Sequence, residues 1–488
     1  MISALQRWVT AHPDAPFIRT PYRTITVEDF YYSVVNRAQF LTSTGFTSGS
    51  RLAVYSPNPL DTAELFFVCQ SAGLAVVPLP YGVPAPELKK LLEIVISDGI
   101  FCQFQDRALF EKTNVQILSL EEQSPGPASC QTQDFQCASS PEDVCVILLT
   151  SGSSGKPKAV ELSIDNFIAS FDGWNSLLHF TKSDHYLSCL PLNHVGGLSV
   201  VTRAVLGGFP ITLMAKFQKD QVSDFLSSGD ITLVSLVPAM LHTLINGRDK
   251  NPFHPNLRAI VMGGSAMPSG LEDQCLKLKL PIVKSYGMTE TCSGVTGFYL
   301  NDSPDKRRSS GKPFAGVNII VDNDQIIIQG KQMMKGYLNQ SEAKGQFKTQ
   351  DRGHLDEDGY LFIEGRSDDV IISGGENIML SEIESVVNQH PWITESVALG
   401  LPDVRWREKL VVVFTMNESV THPENIQKDE LSKELSRHCR KYLPGYKIPK
   451  QFILVKSITK TELGKVDRER LKGICFDEDN LPLGGTFS

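Results

Sequence analysis

Long apolar runs are missing from this chain. The stretch "ITLVSLVPAML" (Ile231 to Leu241) is too short to span a bilayer and carries Pro238, so no transmembrane segment is expected. The first residues, "MISALQRWVTAHPDAPF", lack a positively charged segment followed by an apolar one and do not read as a secretory signal. There are ten cysteines but neither a C-x-x-C pair nor a Cys/His zinc spacing. A disulfide framework and a zinc site are both disfavoured, and reduced core thiols in a cytoplasmic protein are expected. Basic blocks are missing too. The 47 Lys and Arg stand against 55 Asp and Glu, net −8, spread along the sequence, so nucleic acid is a poor candidate partner. No internal repeat of solenoid period is found.

What is present is core-forming material. A chain of 488 residues with 41% hydrophobic content can bury a large interior. "RLAVYSP" (Arg51 to Pro57), "LAVVPLP" (Leu74 to Pro80), "VCVILLT" (Val144 to Thr150) and "LRAIVMGG" (Leu257 to Gly264) read as buried strands. Between the first two, "LDTAELFFVCQSAG" has the spacing of an amphipathic helix closing at Gly73. Strand–helix–strand repetition predicts an α/β fold with largely parallel sheets. The polar run 129–143 reads as a loop. From about Gly311, "GVNIIVDNDQIIIQG" and "GHLDEDGYLFIEG" read as hairpins turned by Asn, Asp and Gly. Shorter, charge-rich elements follow. The expected organisation is a large domain, 1–366, of layered sheets and helices, then a small mobile α+β domain, 367–488.

"LLTSGSSGKPKAV" (Leu148 to Val160) places hydroxyls, glycines and lysines directly after an apolar run. Small residues let backbone N–H groups approach an anion, and hydroxyls and ammonium groups add donors and charge. It is not a Walker A loop. Only Ser153 and Ser154 separate Gly152 from Gly155, and Pro157 follows Lys156 where a Mg²⁺-binding hydroxyl is needed. Taken alone, the stretch is equally a Ser/Gly-rich surface turn.

Five stretches in order remove that ambiguity: "TSGSSGKPK" (Thr150 to Lys158), "SYGMTE" (Ser285 to Glu290), "TQD" (Thr349 to Asp351), "GRSDDVIISGGENI" (Gly365 to Ile378) and "TELGKVDR" (Thr461 to Arg468). Together they resemble the adenylate-forming superfamily of acyl-CoA synthetases, peptide-synthetase adenylation domains and luciferases, over nearly the whole chain. The resemblance implies two half-reactions. A carboxylate attacks the α-phosphorus of ATP and expels pyrophosphate; a thiol, here CoA, then displaces AMP. Thr150, Ser151, Gly152, Ser153, Ser154, Gly155 and Lys158 would hold the β- and γ-phosphates. Gly263, Gly264 and Ser265 would wall the adenine, with Ser285, Tyr286 and Gly287 beside it. Thr289 would meet an α-phosphate oxygen and Glu290 would ligate Mg²⁺, which accepts one carboxylate alongside phosphates and water. Asp351 and Arg366 would bind the ribose. Lys465 would bridge the attacking carboxylate and the α-phosphate, Asp368 would be the hinge, and Gly374 and Gly375 would face the CoA thiol.

Within the superfamily, "PLNHVGGLSVVTRAVLGG" (Pro191 to Gly208), "SLVPAMLHTLI" (Ser235 to Ile245) and "SYGMTETCS" (Ser285 to Ser293) resemble the o-succinylbenzoate–CoA ligase family of menaquinone and phylloquinone synthesis. That resemblance sets His194 at the pocket wall, Arg203 and Ser235 toward the aromatic carboxylate, and Gly264 and Thr289 beside the reacting one. Arg203 is equally readable as a surface arginine and His194 as a core histidine. The partners implied are small molecules, a carboxylic acid and CoA, and self-association into a homo-oligomer is compatible with them. Three other readings stay open: a ligase for another aryl or acyl acid, an adenylating enzyme that loads a carrier protein, and a silent nucleotide-binding regulator. "DVRWREK" (Asp403 to Lys409) has Trp406-Arg407 where relatives often have Trp-Gly or Gly-Glu, which leaves the CoA contacts unassigned.

Overall fold

Continuous apolar runs become strands here because both faces of the sheets they form are covered. Arg51–Tyr55, Ala75–Pro78, Val144–Thr150 and Ala259–Met262 are strands, each inside a stretch that the sequence marks. The computed structural model describes residues 1–113, 115–120, 137–150, 157–417, 428–460 and 466–479; the side chains at 368, 377, 428–429 and 476–479 lie outside that description.

Two large sheets carry the N-terminal part. One has nine strands, with six parallel neighbours at its centre: Ile282–Met288, Ala259–Met262, Leu233–Leu236, Tyr186–Ser188, Ile211–Leu213 and Pro16–Arg19. Antiparallel strands Ser293–Tyr299 and Lys312–Pro313 flank one side, and Thr24–Thr26 the other. The second sheet runs Gly336–Tyr337, Lys158–Ser163, Val144–Thr150, Ala75–Pro78, Arg51–Tyr55, Gly99–Cys102, Gln116–Ser119. Its last five strands are parallel, and its first two pairings are antiparallel.

The helix Pro59–Ser71 departs from the expected amphipathic pattern. Every residue from Thr62 to Ser71 is buried, Glu64 among them. A helix enclosed on all sides must satisfy its polar groups internally. Glu64 does so with Arg37 at 3.0 Å and with the Ser33 hydroxyl, both on the helix Val27–Ser43. Burial still pushes the Glu64 carboxyl above its usual range, against the pull of Arg37. The cysteines behave as small apolar residues. Of the nine described, eight are buried and none is in a disulfide.

The chain divides into two compact units. The first comprises Met1–Ile320, Ile327–Lys348 and Asp356–Leu361; the second, Val321–Ile326, Thr349–Leu355 and Phe362–Ser488. The second unit thus includes three stretches that precede the boundary read from the sequence: Val321–Ile326, Thr349–Leu355 and Phe362–Arg366. The hairpin of Val317–Asp322 and Gln325–Gly330 turns through Asn323 and Asp324, both at positive φ (49° and 65°), as a two-residue type I′ turn requires. In the second unit Glu376–Met379, Val370–Ser373, Arg407–Met416 and Ile393–Asp403 form an antiparallel sheet, and Gln451–Leu454 adds to it in parallel. Among the described residues no helix is long and apolar enough to cross a membrane.

Candidate active site

In parallel sheets, ligands gather at the carboxyl ends of the strands, where loops leave a rigid base. Neighbouring strands of the nine-stranded sheet bring most of the sequence-marked residues of the first unit to one such edge. Ser235 is the penultimate residue of Leu233–Leu236, and Gly263, Gly264 and Ser265 directly follow Ala259–Met262. Ser285, Tyr286 and Gly287 lie on Ile282–Met288. The main chain is tied across that edge: Gly263 N donates to Leu236 O at 3.4 Å and Ser285 Oγ to Met262 O at 3.0 Å. His194 comes six residues after the neighbouring strand Tyr186–Ser188, as N-cap of the helix Val195–Gly207. It is half-buried, with Nε2 3.4 Å from the Asn193 amide. Gly287 is required by a close approach. A β-bulge falls between Tyr286 and Gly287, and a Cβ at 287 would run into the Ser293 carbonyl oxygen.

Arg203 is not a surface arginine. It is 3% exposed, two and a half turns into the helix that His194 caps. Its guanidinium stacks on Trp174 at 4.6 Å and Nη2 donates to Ser293 Oγ at 2.9 Å. Trp174 Nε1 donates to the same oxygen at 3.1 Å. Ser293 therefore passes its own proton to Ser170 Oγ, 3.0 Å away, which in turn donates to Cys292 O at 2.7 Å. This chain holds Cys292 and Ser293 at φ of 49° and 95°, conformations that non-glycine residues keep only when their surroundings fix them. Arg203 also meets the Tyr186 hydroxyl, which shares a 2.9 Å hydrogen bond with Ser235 Oγ. Burial lowers the Arg203 pKa from its ordinary value. No carboxylate among the described residues pairs with this guanidinium, and Nε has no hydrogen-bond partner.

At the other sheet, Thr150 ends one strand and Lys158 begins the next, paired in register, with Thr150 Oγ1 3.4 Å from Lys158 O. Lys158 is exposed and its Nζ stands 4.8 Å from the centroid of the Tyr337 ring. Ser151, Gly152, Ser153, Ser154 and Gly155 lie outside the described residues. Thr289 and Glu290 open a single 3₁₀ turn, Thr289–Thr291, after Ile282–Met288. Tyr337 Oη donates to Glu290 Oε1 at 2.8 Å. The donor set suits Mg²⁺ carried on a nucleotide. Glu290 keeps one carboxylate oxygen clear of that bond, and no cluster of three ligating side chains among the described residues could hold a metal unaided.

Several marked residues belong to the second unit. Asp351, 6% exposed on Gln346–Leu355, is paired with Arg366 Nη1 at 3.1 Å, and Arg366 ends the strand Leu361–Arg366. Asp368 lies in the single turn Ser367–Asp369. Gly374 and Gly375, at φ of 61° and 89°, form a two-residue turn between Val370–Ser373 and Glu376–Met379. Gly374 N donates to Trp406 O at 2.9 Å. The Trp406 ring is flanked by Lys450 Nζ at 4.7 Å and the Arg405 guanidinium at 4.8 Å. Burial lowers the Lys450 pKa, and Arg440 and Arg405 lower it further. Lys465 lies outside the described residues. Just after it, Arg468 pairs with Glu384 at 3.1 Å and Asp369 at 3.5 Å and donates to Ala398 O at 2.7 Å.

A double-sheet body with hydroxyls, glycines and a Mg²⁺-suited carboxylate at its strand ends is the build of a nucleotide-activating enzyme. The chain belongs to the AMP-binding enzyme family: that family's model matches residues 5–338, and the model of the AMP-binding enzyme C-terminal domain matches 382–465. It is 30% identical over 486 residues to a 2-succinylbenzoate–CoA ligase of Listeria monocytogenes serotype 4b, covering 97% of this chain and 99% of the relative. A Staphylococcus epidermidis protein of the same name is 29% identical over 494 residues, covering 97% and 98%. Among solved structures, o-succinylbenzoate CoA synthetase from Bacillus subtilis in complex with the acyl-adenylate intermediate OSB-AMP superposes with a TM-score of 0.84 at 26% identity, covering 96% of this chain and 97% of that one. The same enzyme in complex with ATP and magnesium ion also gives 0.84.

Sequence reading passed over Trp174, Tyr186 and Ser293 around Arg203, and Tyr337 between Lys158 and Glu290. Each lies far in sequence from the group it contacts, so no local spacing could have marked it.

Proposed function

We propose that the protein is an ATP-dependent o-succinylbenzoate–CoA ligase that forms an acyl-adenylate, then the CoA thioester, releasing pyrophosphate and AMP, in menaquinone or phylloquinone synthesis in the cytoplasm. The observation that carries the choice of acid is the buried Arg203 guanidinium, which pairs with no carboxylate among the described residues. A monocarboxylic fatty acid would give that charge nothing to meet, whereas an aromatic acid with a second carboxylate supplies its complement through the Tyr186–Ser235 pair or through water.

In this reading the first half-reaction forms a bond from the substrate carboxylate oxygen to the α-phosphorus and breaks the bond to pyrophosphate. Three anionic groups must be crowded together, so positioning and charge neutralisation carry the rate. Thr150, the residues 151–155 and Lys158 hold the leaving pyrophosphate, and Thr289 donates to an α-phosphate oxygen. Gly263, Gly264, Ser265, Ser285, Tyr286 and Gly287 line the adenosine, and Asp351 with Arg366 takes the ribose hydroxyls. Glu290 would hold Mg²⁺, which when bound offsets phosphate charge. Lys465, in the C-terminal portion 367–488, binds the carboxylate and α-phosphate together. Rotation at Asp368 then exchanges Lys465 for the Gly374–Gly375 turn. The CoA sulfur bonds to the acyl carbon, its proton leaves to solvent, and AMP departs with the electrons of the acyl–oxygen bond. The Arg405, Trp406 and Lys450 group beside Gly374 suits the phosphates and base of CoA.

The test is to mix the protein with ATP, Mg²⁺, CoA and o-succinylbenzoate and look for the thioester by mass spectrometry. The o-succinylbenzoyl-CoA mass is expected. Turnover of benzoate or octanoate with o-succinylbenzoate left unchanged would overturn the assignment of the acid.

A further inference from the structure

We infer that Tyr337 is a positioning residue that aims the Glu290 carboxylate at a nucleotide-bound Mg²⁺ and keeps it from pairing with Lys158; this rests on the ligase reading above. Tyr337 sits on a two-residue edge strand whose main chain is anchored to the strand Lys158–Ser163 both before and after the tyrosine. Tyr337 pairs with Val160 and Gly336 with Glu161, Leu338 N donates to Ala159 O at 2.8 Å, and Lys335 N to Glu161 O at 2.9 Å. The same segment grips the main chain of the metal-ligand turn, because Met334 N donates to Glu290 O at 2.8 Å. The phenol is therefore delivered to Glu290 by a backbone that also holds the strand of Lys158.

The chemistry of the side chain decides its role. A phenol donates one hydrogen bond, here to Oε1 at 2.8 Å, and leaves the carboxylate its full negative charge and its second oxygen. A lysine or arginine in its place would orient Glu290 but cancel the charge that a cation needs. The ring face does complementary work. Lys158 Nζ rests over it at 4.8 Å, while Glu290 is held at its hydroxyl end, so each opposite charge is engaged by Tyr337 and they form no ion pair with each other. A cation–π contact with an exposed ammonium is weak enough to yield when a triphosphate arrives. One side chain thereby keeps a metal ligand and a phosphate ligand separately available before substrate enters.

Tyr337→Phe removes one oxygen from a half-buried ring and leaves the strand pairing and the cation–π face in place, so it separates the two roles. Isothermal titration should give Tyr337→Phe about tenfold weaker binding of ATP in the presence of Mg²⁺, as expected when a metal ligand loses its orienting hydrogen bond. Its binding of ATP in EDTA should match wild type. In pyrophosphate exchange the Mg²⁺ concentration giving half-maximal rate should rise by a similar factor. Tyr337→Leu should also weaken ATP binding in EDTA, because Lys158 loses its rest. In a Glu290→Gln background, Tyr337→Phe should have no further effect on Mg²⁺ dependence. A folded Tyr337→Phe whose Mg²⁺ titration superposes on wild type would overturn the inference, as would equal weakening with and without metal. Wild-type protein that exchanges pyrophosphate with no acid would remove the ligase reading and this inference with it. Normal wild-type exchange beside an unaltered Tyr337→Phe would remove only the role of Tyr337.

Discussion

Arg203 and Ser293, ninety residues apart in sequence, are joined by a 2.9 Å hydrogen bond inside the first unit. The contact fixes both partners: the serine in a left-handed backbone conformation and the guanidinium against Trp174. On the proposed reading, a charge buried and oriented this way would discriminate between acids by what each leaves unpaired. Arg203→Met is therefore expected to lower kcat/KM for o-succinylbenzoate by about 10- to 100-fold, the range for losing a hydrogen bond to a charged group. Benzoate, which lacks the second carboxylate, should lose far less. Steady-state kinetics with both acids checks the ratio, and equal losses would leave Arg203 a purely structural role.

Gly287→Ala tests the close approach in the opposite sense. The new methyl has backbone against it, the Ser293 carbonyl, so relief requires the bulge itself to move. A drop of roughly 1–3 kcal/mol in stability is expected, the usual scale of overpacking. A larger loss of pyrophosphate exchange should accompany it, since Thr289 and Glu290 follow directly. Urea denaturation and exchange assays on one preparation measure both.

His185 is expected to make the first unit acid-sensitive. It is buried, with Nε2 2.9 Å from Thr212 Oγ1; burial and then Arg19 push its pKa down from 6.5 to about 4, against Asp230. A histidine depressed in the native state takes up its proton more readily when unfolded. Its contribution to stability is thus complete above pH 6.5 and declines as the pH falls through 6.5 toward 4, by about 3 kcal/mol in all. Guanidinium unfolding at pH 7 and pH 5 should show the wild type losing more stability on acidification than His185→Gln. Parallel losses would exclude His185 as the source.

Lys450→Glu reverses the charge on one face of Trp406. If this surface takes CoA phosphates, KM for CoA should rise about tenfold or more, while pyrophosphate exchange, which needs no thiol, stays near the wild-type rate. An unchanged KM for CoA would remove the group from the acceptor site.

Local chemistry made much of this legible in advance. The strand runs, the Asn323–Asp324 turn and the buried thiols follow from propensity and composition, and the edge residues 263–265 and 285–290 from ordered motifs. Long-range pairing was not legible. The helix Pro59–Ser71 has the spacing of an amphipathic helix; Arg37 and Ser33, both on another helix, explain the buried Glu64. Arg203 stood undecided between surface and pocket, since helix position alone does not report what packs over a side chain. The partition of 321–326 and 349–355 into the second unit depends on tertiary grouping with no compositional trace.

His194, Ser235, Gly264 and Ser285 come from four different chain segments, each belonging to or following its own strand among the parallel neighbours of the nine-stranded sheet. Such a division of labour makes the appetite of the protein for one acid or another separable from its ability to fold. On the proposed reading, a substitution in one segment would alter the acyl side of the site while the neighbouring strands keep their own pairing.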